Sequence, residues 1–277
     1  MPLQLKSANA SRGMRWLTDA FRLFAKKPLS FTLLLLVFFF LSALVATVLP
    51  FVGSLLQLMA LPLLSLGFMV ASQSALLDGP VHPGQFVEPL RSDPTRRKAL
   101  LVLCALYGAL ALGILLLCAW VSDDAMTRLQ ELMAQGEKAR PQIDALLNEP
   151  GVTTGALLLL VLGTALSIPF WHAPALVHWG GQGVGQALFS STLGVWRNKA
   201  AFFGYFLGWT LLIIAFGIAT ALLFGLFGAG QMATLVALPA GLMFSTVFYV
   251  SLIFTFNDSF GGAPARQDEP DSGTIAS

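Results

Sequence analysis

Six apolar runs, at about residues 29–49, 51–77, 99–121, 152–177, 200–227 and 231–256, alternate with polar stretches along the chain. A helix rises 1.5 Å per residue, so about 20 apolar residues cross the ~30 Å hydrocarbon core of a bilayer. The pattern predicts an all-α integral membrane protein with six transmembrane helices in three hairpins. Residues 1–28 carry a different period. Arg12, Arg15, Asp19, Arg22 and Lys26 recur every three or four positions, and Leu17, Ala20, Phe21 and Phe24 occupy the opposite side. This predicts a cytoplasmic N-terminal amphipathic surface helix. Its lipid-surface residues would be Arg12, Arg15, Arg22, Lys26 and Lys27, with Trp16 at headgroup depth, each basic residue contributing about 1 kcal/mol against anionic lipid. The alternative is a helix packed on the protein's own loops.

Between the runs, proline marks the boundaries. Pro28 fits the first turn of span one, and Asp93 before Pro94 reads as an N-cap followed by a first helical position. Pro62 is expected to kink span two. In the loop 78–98, His82 has no second ligand nearby and reads as solvated. Ala105, Ala109 and Gly113 form a small-residue ridge on span three, and Gly204 with Gly208 a GxxxG on span five. The segment 122–151 is the one sizeable aqueous piece. Its face of Met126, Leu129, Leu132 and Met133 is expected to cover the rim of the bundle, with partner docking as the alternative. The tail 257–277, rich in Gly, Pro, Asp and Ser, reads as disordered.

Composition agrees with a bilayer as solvent: 56% hydrophobic, 11% charged, mean hydropathy +0.76. The net charge of +2 gives no global argument for nucleic acid, so placement of charge decides. Lys and Arg number six before span one, four between spans two and three, two between four and five and one in the tail, against three between spans three and four. The positive-inside rule therefore places both termini in the cytoplasm and 122–151 in the periplasm. The first run is long enough to span and no A-x-A site follows it, so it is expected to remain as a span. Cys104 and Cys118 lie about 21 Å apart along one helix and cannot bridge.

Little in the chain spells chemistry. No Asp, Glu, Lys or Arg lies well inside a predicted span, which argues against proton-coupled transport and intramembrane proteolysis. There is no Walker loop, HExxH or GxSxG, and the glycine-rich stretch 180–185 follows a span rather than a strand, so it reads as an interfacial turn. His172 and His178, six residues apart with Pro174 between, lack histidine partners on other spans and read as anchors beside Trp171 and Trp179. No metal, cofactor or catalytic residue is expected. The expected role is non-catalytic: association with membrane lipids or with another membrane protein. A facilitative carrier is the alternative, in which Pro62, Pro169, Pro174 and Pro239 break helices around a hydrated cavity lined by Gln57, Gln73 or His172. Lipid or partner binding would instead need a dry core and a surface groove. A basic cluster preceding a pair of spans recurs at 24–27, 90–98 and 196–199, suggesting three parallel repeats.

The stretches WHAPALVHW, QALFSS and WRNKAAFFGY, with the opening RGMRWLTDAFRLFAKKPL, resemble a family of proteobacterial six-span inner-membrane proteins. The resemblance covers residues 11–260. It implies an inner-membrane location and a six-span fold, and it brings no mechanism. His172 and His178 stand where apolar residues are expected around the W-x-A-P pattern. More loosely, a surface helix followed by hairpins resembles the membrane domains fused to some glycerophosphodiester phosphodiesterases, without the catalytic domain.

Overall fold

The computed structural model describes residues 3–91, 93–135, 139–226 and 230–262. Among these the regular structure is helical: α1 (Arg12–Lys26), α2 (Pro28–Val48), α3 (Pro50–Leu76), α4 (Pro94–Val121), α5 (Ala125–Ala134), α6 (Arg140–Leu147), α7 (Pro150–Phe170), α8 (Ala173–His178), α9 (Val184–Arg197), α10 (Lys199–Leu226) and α11 (Gly230–Phe260). Six segments are long and apolar enough to cross a membrane: α2, α3, α4, α7 continued through α8, α10, and α11 from Leu235. Proline opens α2, α3, α4 and α7, where the missing N–H is one the helix leaves unpaired anyway. The Asp93 carboxylate accepts from the backbone N–H of Thr95 (2.9 Å) and of Arg96 (3.3 Å), capping α4 as its spacing predicts.

The helices α3 and α11 are central. One face of α3, with Leu64, Phe68 and Ala71, joins Val247 and Val250 of α11 in a cluster that also holds α1, α2 and α10. The other face, with Leu66, Met69 and Val70, joins Ile253 and Phe256 in a second cluster with α4, α8 and α9. Burial concentrates at the end of the bundle where the chain's N-terminal segment lies, here the terminal end. Along α10 the buried residues run from Ala201 to Trp209, and between there and Leu226 each residue is exposed or half-buried. At the far end Met126, Leu129 and Leu132 of α5 pack with Leu146 and Val152, covering the rim, while Met133 points to solvent.

The terminal end is sewn by the chain's first residues. The last carbonyls of a helix have no intrahelical donor; here the N–H of Gln4 reaches Phe260 O (3.2 Å) and that of Lys6 reaches Ser259 O (2.8 Å). Helix α11 thus continues through Phe260 and takes in the first four residues of the tail expected to be disordered from Asn257. The remainder of that tail, 263–277, lies outside the described residues.

Several expectations change. Trp16 is fully buried rather than at the lipid surface, because the apolar face of α1 (Trp16, Leu17, Ala20, Leu23) packs on α10 and α11. Glycines make this close approach possible: a Cβ on Gly13 would strike the backbone oxygen of Ala201, and one on Gly208 would lie 2.8 Å from Met14 Sδ. The GxxxG of span five therefore receives α1, not another span. On α4 the contact with α3 runs through Gly108, whose Cβ position is occupied by Met59, whereas Ala105, Ala109 and Gly113 are exposed. Helices continue through Pro62 and Pro239, whereas span four is interrupted at 171–172, between Pro169 and Pro174. The three hairpins also have unequal prefaces, α1 and α9 before the first and third, and two short 3-10 turns (Pro83–Phe86 and Glu88–Arg91) before the second.

Candidate functional site

The unusual residues between Ile168 and Tyr205 fold into a polar hinge at the terminal end. Span four stops at Phe170 and resumes as α8 from Ala173. Pro174 has no N–H, and in an uninterrupted helix its ring would crowd the carbonyl of Phe170. The bond that His172 N–H would make to Ile168 O is replaced by a side chain: the Ser191 hydroxyl accepts from His172 N (2.9 Å) and donates to Ile168 O (3.1 Å). A hydroxyl inserted into the helical ladder is a recognised cause of a kink. Ser191→Ala should strand one buried donor and one buried acceptor, lowering stability by about 1–3 kcal/mol. Thermal unfolding in detergent, read beside Ser191→Thr, measures it.

The His172 side chain is buried. Its ring packs between Phe202, Phe256 and Phe260 (centroids 6.0, 5.9 and 5.3 Å), and Nε2 lies 3.2 Å from Thr255 Oγ1. Thr255 donates its one proton to Leu252 O (2.8 Å), so its oxygen accepts from Trp171 Nε1 (3.1 Å) and from His172 Nε2. That assigns the Nε2–H tautomer and leaves Nδ1 without a partner in an aromatic box. His178 is elsewhere, at the end of α8, its ring beside Trp179 (5.7 Å) and its carbonyl bonded to Arg96 (3.0 Å). The two histidines share no partner. Among the described residues no group of three or more His, Cys, Asp or Glu is placed to hold a metal ion.

Two further polar centres were not singled out in the sequence. The Asp258 carboxylate accepts from Arg12 Nε (2.6 Å), Arg12 Nη2 (3.0 Å) and Trp16 Nε1 (2.6 Å), locking α1 to α11. The hydrogen bond to Asp258 raises the Arg12 pKa above its already high ordinary value, against partial burial, which lowers it. Asn198, between α9 and α10, accepts from Ala8 N (2.6 Å), and its two amide protons are shared among Lys6 O (3.1 Å), Gly194 O (2.9 Å) and Ser259 Oγ (3.3 Å). Of the other residues assigned to the lipid surface, Lys27 bonds to Gly79 O, Lys26 pairs with Asp78 (3.7 Å) and Arg22 with Asp19 (3.3 Å), while Arg15 is exposed.

A concavity lies on the flank of the membrane-spanning helices. A groove of about 370 Å³ runs along α7, lined by Leu159, Leu160, Gly163, Thr164, Ser167 and Trp171, and α10 contributes Phe206 to its terminal end. Trp171 and Phe206, with ring centroids 5.6 Å apart, form its floor at the terminal end. The Ser167 hydroxyl is spent on Thr164 O (2.8 Å). None of Gln57, Pro62, Gln73, Pro169, His172, Pro174 or His178 lines it. Gln57 and Gln73 are half-buried on α3, and Pro62 is buried in its middle.

Helix α9 borders this region. Ala187, Ser191, Gly194 and Asn198 face the bundle, and Phe189, Leu193 and Trp196 face outward, exposed. The spacing of small residues opposite large apolar ones was the available signal for this helix.

Over 275 residues the chain is 31% identical to a protein of Burkholderia thailandensis whose name, "Probable inner membrane protein", gives a location and no activity; the match spans 97% of this chain and the whole of that one. The chain belongs to that inner-membrane protein family. No model of a described family matches it. No solved structure matches either. For this chain the groove, the hinge and the α1 lock are the features from which a role is argued.

Proposed function

We propose that this inner-membrane protein is a non-catalytic lipid-binding protein, with both termini in the cytoplasm, that holds a lipid acyl chain in the groove along α7. The groove itself is the observation that carries the reading. From Leu159 to Trp171 it follows about 18 Å of helix, close to the ~15 Å depth of one leaflet's hydrocarbon. Its volume of about 370 Å³ is in the range of small-molecule sites, and its walls are mainly apolar. It lies on the flank of membrane-spanning helices with Leu160 and Phe206 exposed beside it, so lipid reaches it without crossing a barrier. The distribution of basic residues supports the orientation. A carrier is less well supported: the residues expected to line its cavity lie away from the groove, and the His172 ring is enclosed by aromatic rings.

A Cβ at Gly163 would meet nothing within 4 Å, so Gly163→Phe fills the groove without straining the backbone. In discs formed directly from native membrane, mass spectrometry of the wild type should find a lipid class enriched over the surrounding bilayer, and Gly163→Phe should lose that enrichment. Equal lipid content in both would refute the reading. A protein retained in stoichiometric amount in place of lipid would move the assignment to partner binding.

A further inference from the structure

We infer that the groove is selective for an anionic phospholipid, whose phosphate is held at the terminal rim by Lys199 beside Trp196. This rests on the groove as a lipid-chain site and adds the headgroup. Lys199 is the first residue of α10, seven positions before the groove residue Phe206. Seven residues bring a helix almost back to the same face, two turns and about 10 Å further toward the terminal end. Phe203, 71% exposed, lies between them on that stripe. A chain lying on Trp171 and Phe206 thus passes Phe203 and brings its glycerophosphate to the level of Lys199.

The rim has the chemistry that such a headgroup needs. Lys199 is exposed, and its ammonium stands 5.1 Å from the centroid of the Trp196 ring, which holds the charge over an aromatic face at the level where tryptophans sit in a membrane. Trp196 is itself 69% exposed and continues the outward apolar face of α9 through Leu193 and Phe189. Arg197, also exposed, adds a second positive charge at the junction. No acidic side chain pairs with Lys199 among the described contacts, and the stretch from Gly151 to Asn257 contains no Asp or Glu at all. Opposite charge is supplied by the bilayer, and the anionic headgroup that can reach this cation is the one whose chain occupies the groove below it.

The test uses the full chain in lipid discs with two photoreactive lipids of identical acyl chain, phosphatidylglycerol and phosphatidylcholine, reading adducts on residues 159–171. The wild type should label about fivefold more strongly with phosphatidylglycerol, the ratio expected from one basic residue near an anionic headgroup. Lys199→Glu should abolish that preference while labelling by phosphatidylcholine stays. Lys199→Arg should retain it, and Arg128→Glu on α5, at the far end of the bundle, should not alter it. An unchanged preference in Lys199→Glu overturns the headgroup assignment. Gly163→Phe should reduce labelling by both lipids alike; undiminished labelling there defeats the chain site itself, so the two failures are distinguishable.

Discussion

Trp16→Ala should release α1 from the bundle. The side chain is fully buried, its ring meets Phe202 (5.2 Å) and Tyr205 (6.0 Å), and its N–H bonds to Asp258 (2.6 Å). Removing a buried tryptophan costs about 3–5 kcal/mol, of the order of what holds one helix in place. Helices α2–α4 keep their own contacts, so the expected result is local: fast amide exchange and protease cleavage within residues 12–26, with the spans protected. Gly13→Leu should do the same from the opposite cause, because its side chain collides with the backbone of Ala201. Protection of α1 unchanged in both variants would mean that the helix is held by lipid and not by the bundle.

Asn198→Leu should free the segment that precedes α1. The leucine keeps the volume and removes the side-chain hydrogen bonds, leaving the part-buried N–H of Ala8 and carbonyl of Lys6 without their Asn198 partner. Each unsatisfied buried group costs about 1–3 kcal/mol. Exchange at the amides of Gln4, Lys6 and Ala8 should rise to that of a free chain, and the last turn of α11 should fray, since Gln4 and Lys6 cover its carbonyls. Exchange that rises at Ala8 alone would show that the segment is held by its backbone contacts to α11.

These two predictions sit where the sequence misled or was silent. The six spans, their proline starts and the Asp93 cap depend on neighbours in the chain, so hydropathy and spacing reveal them. The amphipathic face of α1 is also local, but periodicity says only that a face avoids water. Lipid and protein both satisfy it. What decided between them was a pair of glycine-lined backbones and the carboxylate of Asp258, 242 residues from Trp16. Ser191 is similarly invisible as a hinge residue, because its partners Ile168 and His172 come into register only after the chain has turned through α8. Leu159, Leu160 and Gly163 resemble any lipid-facing residues until the fold brings Phe206 of α10 to the foot of α7.

The proposed role stands on a lipid chain lying along α7 in the groove that Phe206 closes at its terminal end. An experimental structure of the full chain determined in a lipid environment tests it most directly. The expected result is elongated density beside Gly163 and Thr164, running from the level of Leu159 to Trp171. A groove closed by direct contact of α7 with α10, leaving no room for a chain, would contradict it.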